Sequence, residues 1–445
     1  MRVTDTQEIE DGLLATLLAN ESFWPATPRS IEETGLTDSF IESLIAKYLG
    51  VSGTSSGRNI AEEICLPFGI LESLFASLRT RQLLVHAGSA PFNDYYYTLT
   101  EQGRAFAHAC LEASAYVGPA PVPLVDYVLS VEAQATSAEA PQRADLMAAF
   151  QGISVDKSML DSLGPAVNSG AGMFLYGAPG NGKSTLAKRI TKCFGQEIWV
   201  PHALVESAQL IKFYDAAYHT PVSRNTHGIV KVQEHDRRWV RIRRPTVVVG
   251  GELTMDNLEI QHNARGNVSE APLQLKSNCG CLLLDDFGRQ RVAPAELLNR
   301  WIVPLECKYD FLTLATGKKI QVPFEQLIIF STNLEPRDLV DEAFLRRIPY
   351  KIEIGDPSVE EFHFLFQLYC ESMGCNYNSQ IVEHLIATHY RPANRAMRRC
   401  HPRDLLIQIR NFCRYNDLPL ELRSDYFDQV VKSYFAMVLG NEHDE

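Results

Sequence analysis

No stretch of the 445 residues approaches the roughly 18 consecutive apolar residues that a membrane-spanning helix needs. The start, Met1-Arg2-Val3-Thr4-Asp5, also lacks the basic-then-apolar pattern of a secretory leader. A cytoplasmic protein without membrane contact is therefore expected. Cysteine occurs ten times but never as Cys-x-x-Cys. The nearest pairs, Cys279 with Cys281 and Cys370 with Cys375, are not followed by a second pair at zinc-ribbon spacing. That pattern predicts reduced, mostly buried thiols in place of a disulfide framework or a metal knuckle. Internal repeats and long low-complexity tracts are missing too. Positive charge is in deficit, with 42 Lys and Arg against 54 Asp and Glu and a net charge of -12. Bulk attraction to nucleic acid or a membrane surface is thereby excluded, and only a local basic patch remains open. What is present is ordinary globular material, 45% hydrophobic and 22% charged, long enough for two or three domains.

Composition divides the chain. Residues 1–115 mix helical periodicity with one strand pair. Residues 116–151 open on the Pro/Ala-rich run Gly118-Pro-Ala-Pro-Val-Pro123 and read as a linker with one short helix over 124–133. From Gly152 to 355, apolar strand-like runs alternate with helical segments, the pattern of a parallel α/β sheet. From Asp356 to 445 the strands disappear and helices remain.

Gly177-Ala178-Pro179-Gly180-Asn181-Gly182-Lys183-Ser184 fits G-x-x-x-x-G-K-[ST], and Thr185 continues into the next helix. The apolar run Met173-Phe-Leu-Tyr176 enters it, and Ser184–Ile190 leaves with helical spacing, so strand, glycine loop and helix follow in the order of a P-loop. Glycines let successive N–H groups turn onto a phosphate, and the helix N-terminus adds partial positive charge. Lys183 would bridge the β- and γ-phosphates of ATP, and the Ser184 hydroxyl would hold Mg²⁺. A second constellation follows about a hundred residues on. Cys281-Leu-Leu-Leu-Asp285-Asp286 reads as a buried parallel strand ending in two acids, at the strand end where such sheets bind ligands. Asp285 would hold Mg²⁺ through its water shell, and Asp286 would polarise an attacking water.

With these motifs the chain resembles the AAA+ ATPases over roughly Gly152 to the C-terminus. The resemblance implies an α/β fold with a parallel-sheet P-loop core and a C-terminal helical lid. Leu327-Ile-Ile-Phe-Ser-Thr-Asn333 looks like the strand that carries a sensor-1 asparagine, Asn333. Asp341-Glu-Ala-Phe-Leu-Arg346-Arg347-Ile is similar to the segment that supplies an arginine finger to a neighbouring subunit, with Arg346 and Arg347 not ranked. His401-Pro-Arg403-Asp404-Leu405 resembles the lid's sensor-2 motif, with Arg403 as its arginine. The resemblance implies self-association into a ring, a hexamer as the expected form. One residue departs from the pattern: most members carry Glu where this chain has Asp286. The carboxylate is set back by one methylene, so hydrolysis is expected to be slow or to use a repositioned water.

Between the two motifs, residues of about 202–275 exceed what a minimal core would use and read as a β-rich insertion. Within it, Arg237-Arg-Trp-Val-Arg241-Ile-Arg243-Arg244 alternates apolar and basic residues like a strand, and Thr246-Val-Val-Val249 follows. Arg241, Arg243 and Arg244 are candidate contacts to a partner or nucleic acid. The competing reading is a solvated face paired with local acids such as Glu234 and Asp236.

In the N-terminal region, helical runs over 59–66 and 70–80 precede a hairpin of Leu83–Val85 and Tyr95–Leu99, and Thr100 caps a further helix. That order resembles an α+β winged-helix domain. Residues 1–115 carry 7 Lys or Arg against 15 Asp or Glu, a net of -8 and the wrong sign for a DNA footprint. A protein client is therefore preferred over DNA, and three classes stay open. They are a chaperone-like motor remodelling a protein, an ATP-switched DNA-binding regulator or loader, and a non-hydrolysing scaffold.

Overall fold

The computed structural model describes residues 23–135, 140–153, 155, 157–195, 197–222 and 235–435. Residues 1–22, Glu234 and residues 436–445, included in the expectations above, lie outside the described residues.

Among the described residues of the N-terminal region, a 3-10 turn (Glu32–Thr34) precedes helix α1 (Asp38–Ser52), which the Thr37 side chain caps by accepting from Phe40 N. Then come β1 (Thr54–Ser56), α2 (Gly57–Glu63), α3 (Phe68–Thr80), β2 (Leu84–Ala90), β3 (Asp94–Leu99) and α4 (Glu101–Ala113). The Thr100 hydroxyl caps α4 by accepting from Gly103 N. The hairpin is wider than its apolar residues suggest, and β1 pairs antiparallel with β3, making a sheet of order β1-β3-β2. Ile41, Leu44 and Ile45 of α1 and Leu71, Phe75 and Leu78 of α3 fill its core.

The stretch expected to be a linker is packed. It holds β4 (Val122–Pro123), α5 (Leu124–Gln134) and α6 (Arg143–Ala149). Leu124, Tyr127 and Val131 on α5 are buried, so the run of prolines and alanines starts a structural element instead of a spacer. Helix α7 (Lys157–Ser169) leads into β5 (Met173–Tyr176), followed by α8 (Lys183–Ile190).

Next come β6 (Glu197–Pro201), β7 (Ala203–Glu206), β8 (Gln209–Lys212), β9 (Trp239–Arg243), β10 (Thr246–Val249), β11 (Gln261–Asn263), β12 (Val268–Glu270) and α9 (Leu273–Lys276). After them run β13 (Cys281–Leu284), α10 (Pro294–Arg300), α11 (Ile302–Cys307), β14 (Tyr309–Thr313), β15 (Lys319–Pro323) and β16 (Leu327–Thr332). Strand β10, expected in the insertion, is the edge of the central sheet, parallel to β13 with Val247 opposite Leu282. Its β-branched run buries Val247 and Val249 against that strand. The remaining insertion strands are shared out between two sheets. One has the order β11-β12-β8-β7-β4, and the other pairs β6 with β9. They share one core with α5 and the β14–β15 hairpin, through Tyr127, Val200, Ile211, Ile242, Leu312 and Ile320.

Short helices α12 (Pro336–Leu339) and α13 (Glu342–Leu345) precede β17 (Tyr350–Glu353). The central sheet has the order β10-β13-β16-β5-β17, with every neighbour parallel. Its side chains alternate between two cores. Met173, Leu175, Leu283 and Ile329 face α7 and α8, whereas Phe174, Leu282, Leu284 and Phe330 face Trp301 and Leu297. The last described elements are helices: α14 (Val359–Met373), α15 (Ser379–Leu385), a π-helical turn (Ile386–Tyr390), α16 (His401–Tyr415) and α17 (Ser424–Tyr434). A capping box starts α14, with Ser358 accepting from Glu361 N and Glu361 accepting from Ser358 N. No helix among the described residues is long and apolar enough to cross a membrane.

Candidate nucleotide-binding site

The sheet order reverses at β5. The chain moves from β5 out to the edge, works back through β13 and β16, then crosses β5 to form β17. Crevices at such reversals, beyond the carboxyl ends of the strands, are where open parallel sheets take ligands. Here the crevice is a cavity of about 510 Å³.

The glycine loop forms its floor. Gly177 has φ +133°, and a Cβ there would lie 2.5 Å from the backbone oxygen of Ile354. Gly180 has φ +83°, and its Cβ would lie 2.6 Å from Cys400 Sγ. Both positions need glycine for conformation and for space. Lys183 is buried, and its Nζ donates to Gly177 O at 2.8 Å, Ala178 O at 3.0 Å and Asn333 Oδ1 at 2.7 Å. Burial pulls the Lys183 pKa down, and the Asp286 and Asp285 carboxylates partly oppose the shift.

Asp285 Oδ1 accepts from Ser184 Oγ at 2.7 Å, from Ser331 Oγ at 2.9 Å and from its neighbour's amide, Asp286 N, at 3.2 Å. Asn333 bridges the two halves of the site: its Oδ1 accepts from Lys183, and its Nδ2 lies 3.4 Å from Asp286 Oδ1 as donor. The lysine, both acids and the asparagine thus meet at the ends of β5, β13 and β16.

The C-terminal helices close the cavity. Cys400 N donates to Gly180 O at 2.9 Å, and Arg399 N to Asn181 Oδ1 at 3.3 Å. Asn181 Nδ2 in turn donates to Asp356 Oδ1 at 2.7 Å, and Arg398 pairs with the same carboxylate. Leu365, Leu368 and Tyr369 of α14 make the wall apolar on that side, with Ile153 and Met159 across from them. The fold is a parallel α/β sheet of the P-loop type, with the glycine loop running from β5 into α8.

Not every expected site residue joins this cavity. Pro179 through Thr185, Asp285, Asp286, Asn333 and Arg403 line it, while Gly177 and Ala178 contribute carbonyls to Lys183. Arg346 and Arg347 lie outside it. Arg347 is ion-paired with Glu306 at 2.7 Å, and Arg346 is exposed. Arg241 on β9 pairs with Glu197 at 2.5 Å, and Arg244, just past the strand, donates to the carbonyls of Gly195, Gln134 and Cys279. Arg238 is buried against Asp236 and donates to Thr34 O. Arg243 alone of the candidate trio is exposed. Most of the cationic strand is therefore spent inside the molecule.

Ser331, Asp356 and Arg399 were missed. Ser331 stands on β16 two residues before Asn333, which follows the strand, and its hydroxyl donates to Asp285. Arg399 belongs to a basic run that ends at His401, but nothing in the spacing separates it from Arg398.

A family model described as a domain of unknown function (DUF8689) matches residues 358–433, the helical region that closes the cavity. No curated protein matches the chain. Among solved structures, NtrX from Brucella abortus is similar with a TM-score of 0.38 at 14% identity, covering 62% of this chain and 54% of that one. This chain therefore spans about half the length of NtrX. A structure of the complex between subunits BchI and BchD of magnesium chelatase gives 0.32 at 16% identity, covering 68% and 94%. A point mutant of RuvB from Thermotoga maritima gives 0.35 at 12% identity, covering 67% and 72%. These likenesses are weak, and the fold assignment rests on the motif geometry of the chain itself.

Proposed function

We propose that the chain is an AAA+ ATPase that binds ATP with Mg²⁺ in this cavity, hydrolyses it where subunits meet in a ring, and uses it to remodel a protein partner. The observation that carries the reading is the junction of Lys183, Asn333 and Asp286 beneath a lid that touches the phosphate loop through Cys400 and Arg399. Ser184 and Asp285 offer Mg²⁺ a hydroxyl and a carboxylate 2.7 Å apart. All-oxygen donors suit that ion, which keeps water in its other positions. When bound it would neutralise charge on the phosphates.

The protein's own groups would do the rest. Loop amides and Lys183 would bind and orient the β- and γ-phosphates. Asp286 would accept the proton of an attacking water that Asn333 helps to orient. Ile153, Met159, Leu365, Leu368 and Tyr369 give the base an apolar seat. Arg399, 12% exposed and paired with Glu361, and Arg403 supply positive charge from the lid. Since Arg347 is engaged with Glu306, Arg346 is the better candidate for the finger offered to a neighbouring subunit.

A protein client is favoured over DNA. The exposed face of α3 offers Glu72, Ser73, Ala76 and Thr80 with one arginine, Arg79. Arg81, half-exposed, has its charge paired with the buried Glu42 at 2.6 Å. The winged-helix-like reading of this domain is retained as a protein-docking module, and a cytoplasmic location goes with it. Sedimentation with turnover assays tests the scheme. ATP-dependent assembly, with turnover lost in Arg346→Ala while ADP affinity is kept, supports it. Equal turnover in wild type and Arg346→Ala would remove the trans-acting arginine, and tight salt-sensitive DNA binding would remove the protein-client reading.

A further inference from the structure

Asp286 adopts a backbone conformation that most residues avoid, with φ at +51°. Aspartate and asparagine are enriched in that left-handed region because a short polar side chain finds local hydrogen bonds there; glutamate has no such advantage. Both neighbours are pinned. Asp285 N donates to Val249 O at 2.8 Å and Phe287 N to Ser331 O at 2.7 Å, and the buried Phe287 ring packs on Phe330 with centroids 5.0 Å apart. Between these pins Asp286 projects toward the cavity and Asn333.

One side chain spans the turn. Gln290 Nε2 donates to Asp285 O at 2.9 Å and to Asp286 O at 3.1 Å, while its Oε1 accepts from Gly288 N at 2.8 Å. Arg289 N adds a bond to Asp286 O at 3.0 Å. A left-handed residue persists only where its surroundings over-determine it, and this amide ties both carbonyls that flank the bend.

We infer that Gln290 is a positioning residue that holds Asp286 in its left-handed turn, and that the site is built around aspartate at this position. The inference rests on the ATPase reading above. It accounts for the departure from glutamate, since the backbone bend brings the shorter acid to Asn333. A glutamate at 286 would sit in a conformation it disfavours and carry its carboxylate one methylene past that contact.

Steady-state ATP turnover, ADP affinity and melting temperature of wild type, Gln290→Ala, Gln290→Glu and Asp286→Glu test this. Gln290→Glu keeps the length and an acceptor for Gly288 N but loses the two donors. Expected is a fall in kcat of roughly 10-fold to 100-fold in all three variants, as small misplacements of a reacting group produce. KM and ADP affinity should stay within about threefold, because the phosphate loop is untouched. Unchanged kcat in Gln290→Ala, or higher kcat in Asp286→Glu, would overturn the inference. So would a joint loss of kcat, ADP affinity and melting temperature in both Gln290 variants, which would mark a merely structural residue. Wild type that binds ADP but never turns ATP over would sink the parent reading, and this one with it.

Discussion

His401, at the start of α16, makes the lid sensitive to acid. It is 8% exposed, and its Nδ1 accepts from the Tyr390 hydroxyl at 2.9 Å and from Arg398 N at 3.3 Å. Burial is the main cause that pulls its pKa from 6.5 to about 4. The Arg398 and Arg395 cations push the same way, and the Asp404 and Asp356 carboxylates oppose them. A folded-state pKa below the unfolded value means that the unfolded chain binds the proton more readily. Stability is therefore complete above pH 6.5 and is lost as pH falls toward 4. The full shift corresponds to about 3 kcal/mol, of which about 2 kcal/mol is lost between pH 7 and pH 5. Hydrogen-exchange protection of residues 401–415, corrected for the intrinsic pH dependence of exchange, should then drop about 30-fold over that interval. His401→Asn keeps an acceptor near the Nδ1 position and cannot be protonated, so its protection should change by less than about threefold. Equal pH slopes in wild type and His401→Asn would refute the reasoning.

Three further outcomes follow from the geometry. Gly180→Ala adds a methyl 2.6 Å from Cys400 Sγ at a positive φ, so it should push the lid from the phosphate loop. ADP affinity should fall at least tenfold, while Gly53→Ala, whose added methyl meets no atom within 4 Å despite a positive φ of 80°, should leave it unaltered; calorimetry checks both. Asp236→Ala strands the buried Arg238 and should cost about 3–5 kcal/mol in urea unfolding, whereas Arg243→Glu on the exposed side of β9 should shift it by no more than about 0.5 kcal/mol. Arg347→Ala breaks a partly exposed pair with Glu306 and should cost at most about 1 kcal/mol of stability, with turnover retained, opposite to the loss expected of Arg346→Ala.

The cavity end of the central sheet was legible because a phosphate-binding loop constrains sequence locally. A glycine loop, a lysine and a strand ending in acids each declare themselves within a few residues. The run Met173–Tyr176 and the run Cys281–Leu284 are continuously apolar and sit on neighbouring sides of β16, as buried parallel strands must. The edge strand Thr246–Val249 has the same character, yet its neighbours in sequence belong to other sheets, so the sequence pattern could not say which sheet it joins. Helix α5 (Leu124–Gln134) falls where a short helix was expected, but its packing was not legible: the prolines before it resemble a spacer, and burial of Tyr127 depends on partners such as Asn278, far along the chain. Arg241 and Arg244 looked like a cationic surface because alternation reports the faces of a strand but not what covers them. Their partners Glu197 and Gln134 come from other elements. The left-handed turn at Asp286 and its brace Gln290 carry no sequence signature beyond a short acid where a longer one is usual.

The most direct test of the central claim is ATP turnover by the purified chain beside Lys183→Ala, with ADP affinity measured on both. Lys183 joins the phosphate loop to Asn333, so turnover and tight ADP binding in wild type, both lost in the variant, are the predicted result. Turnover that survives in Lys183→Ala would contradict the account.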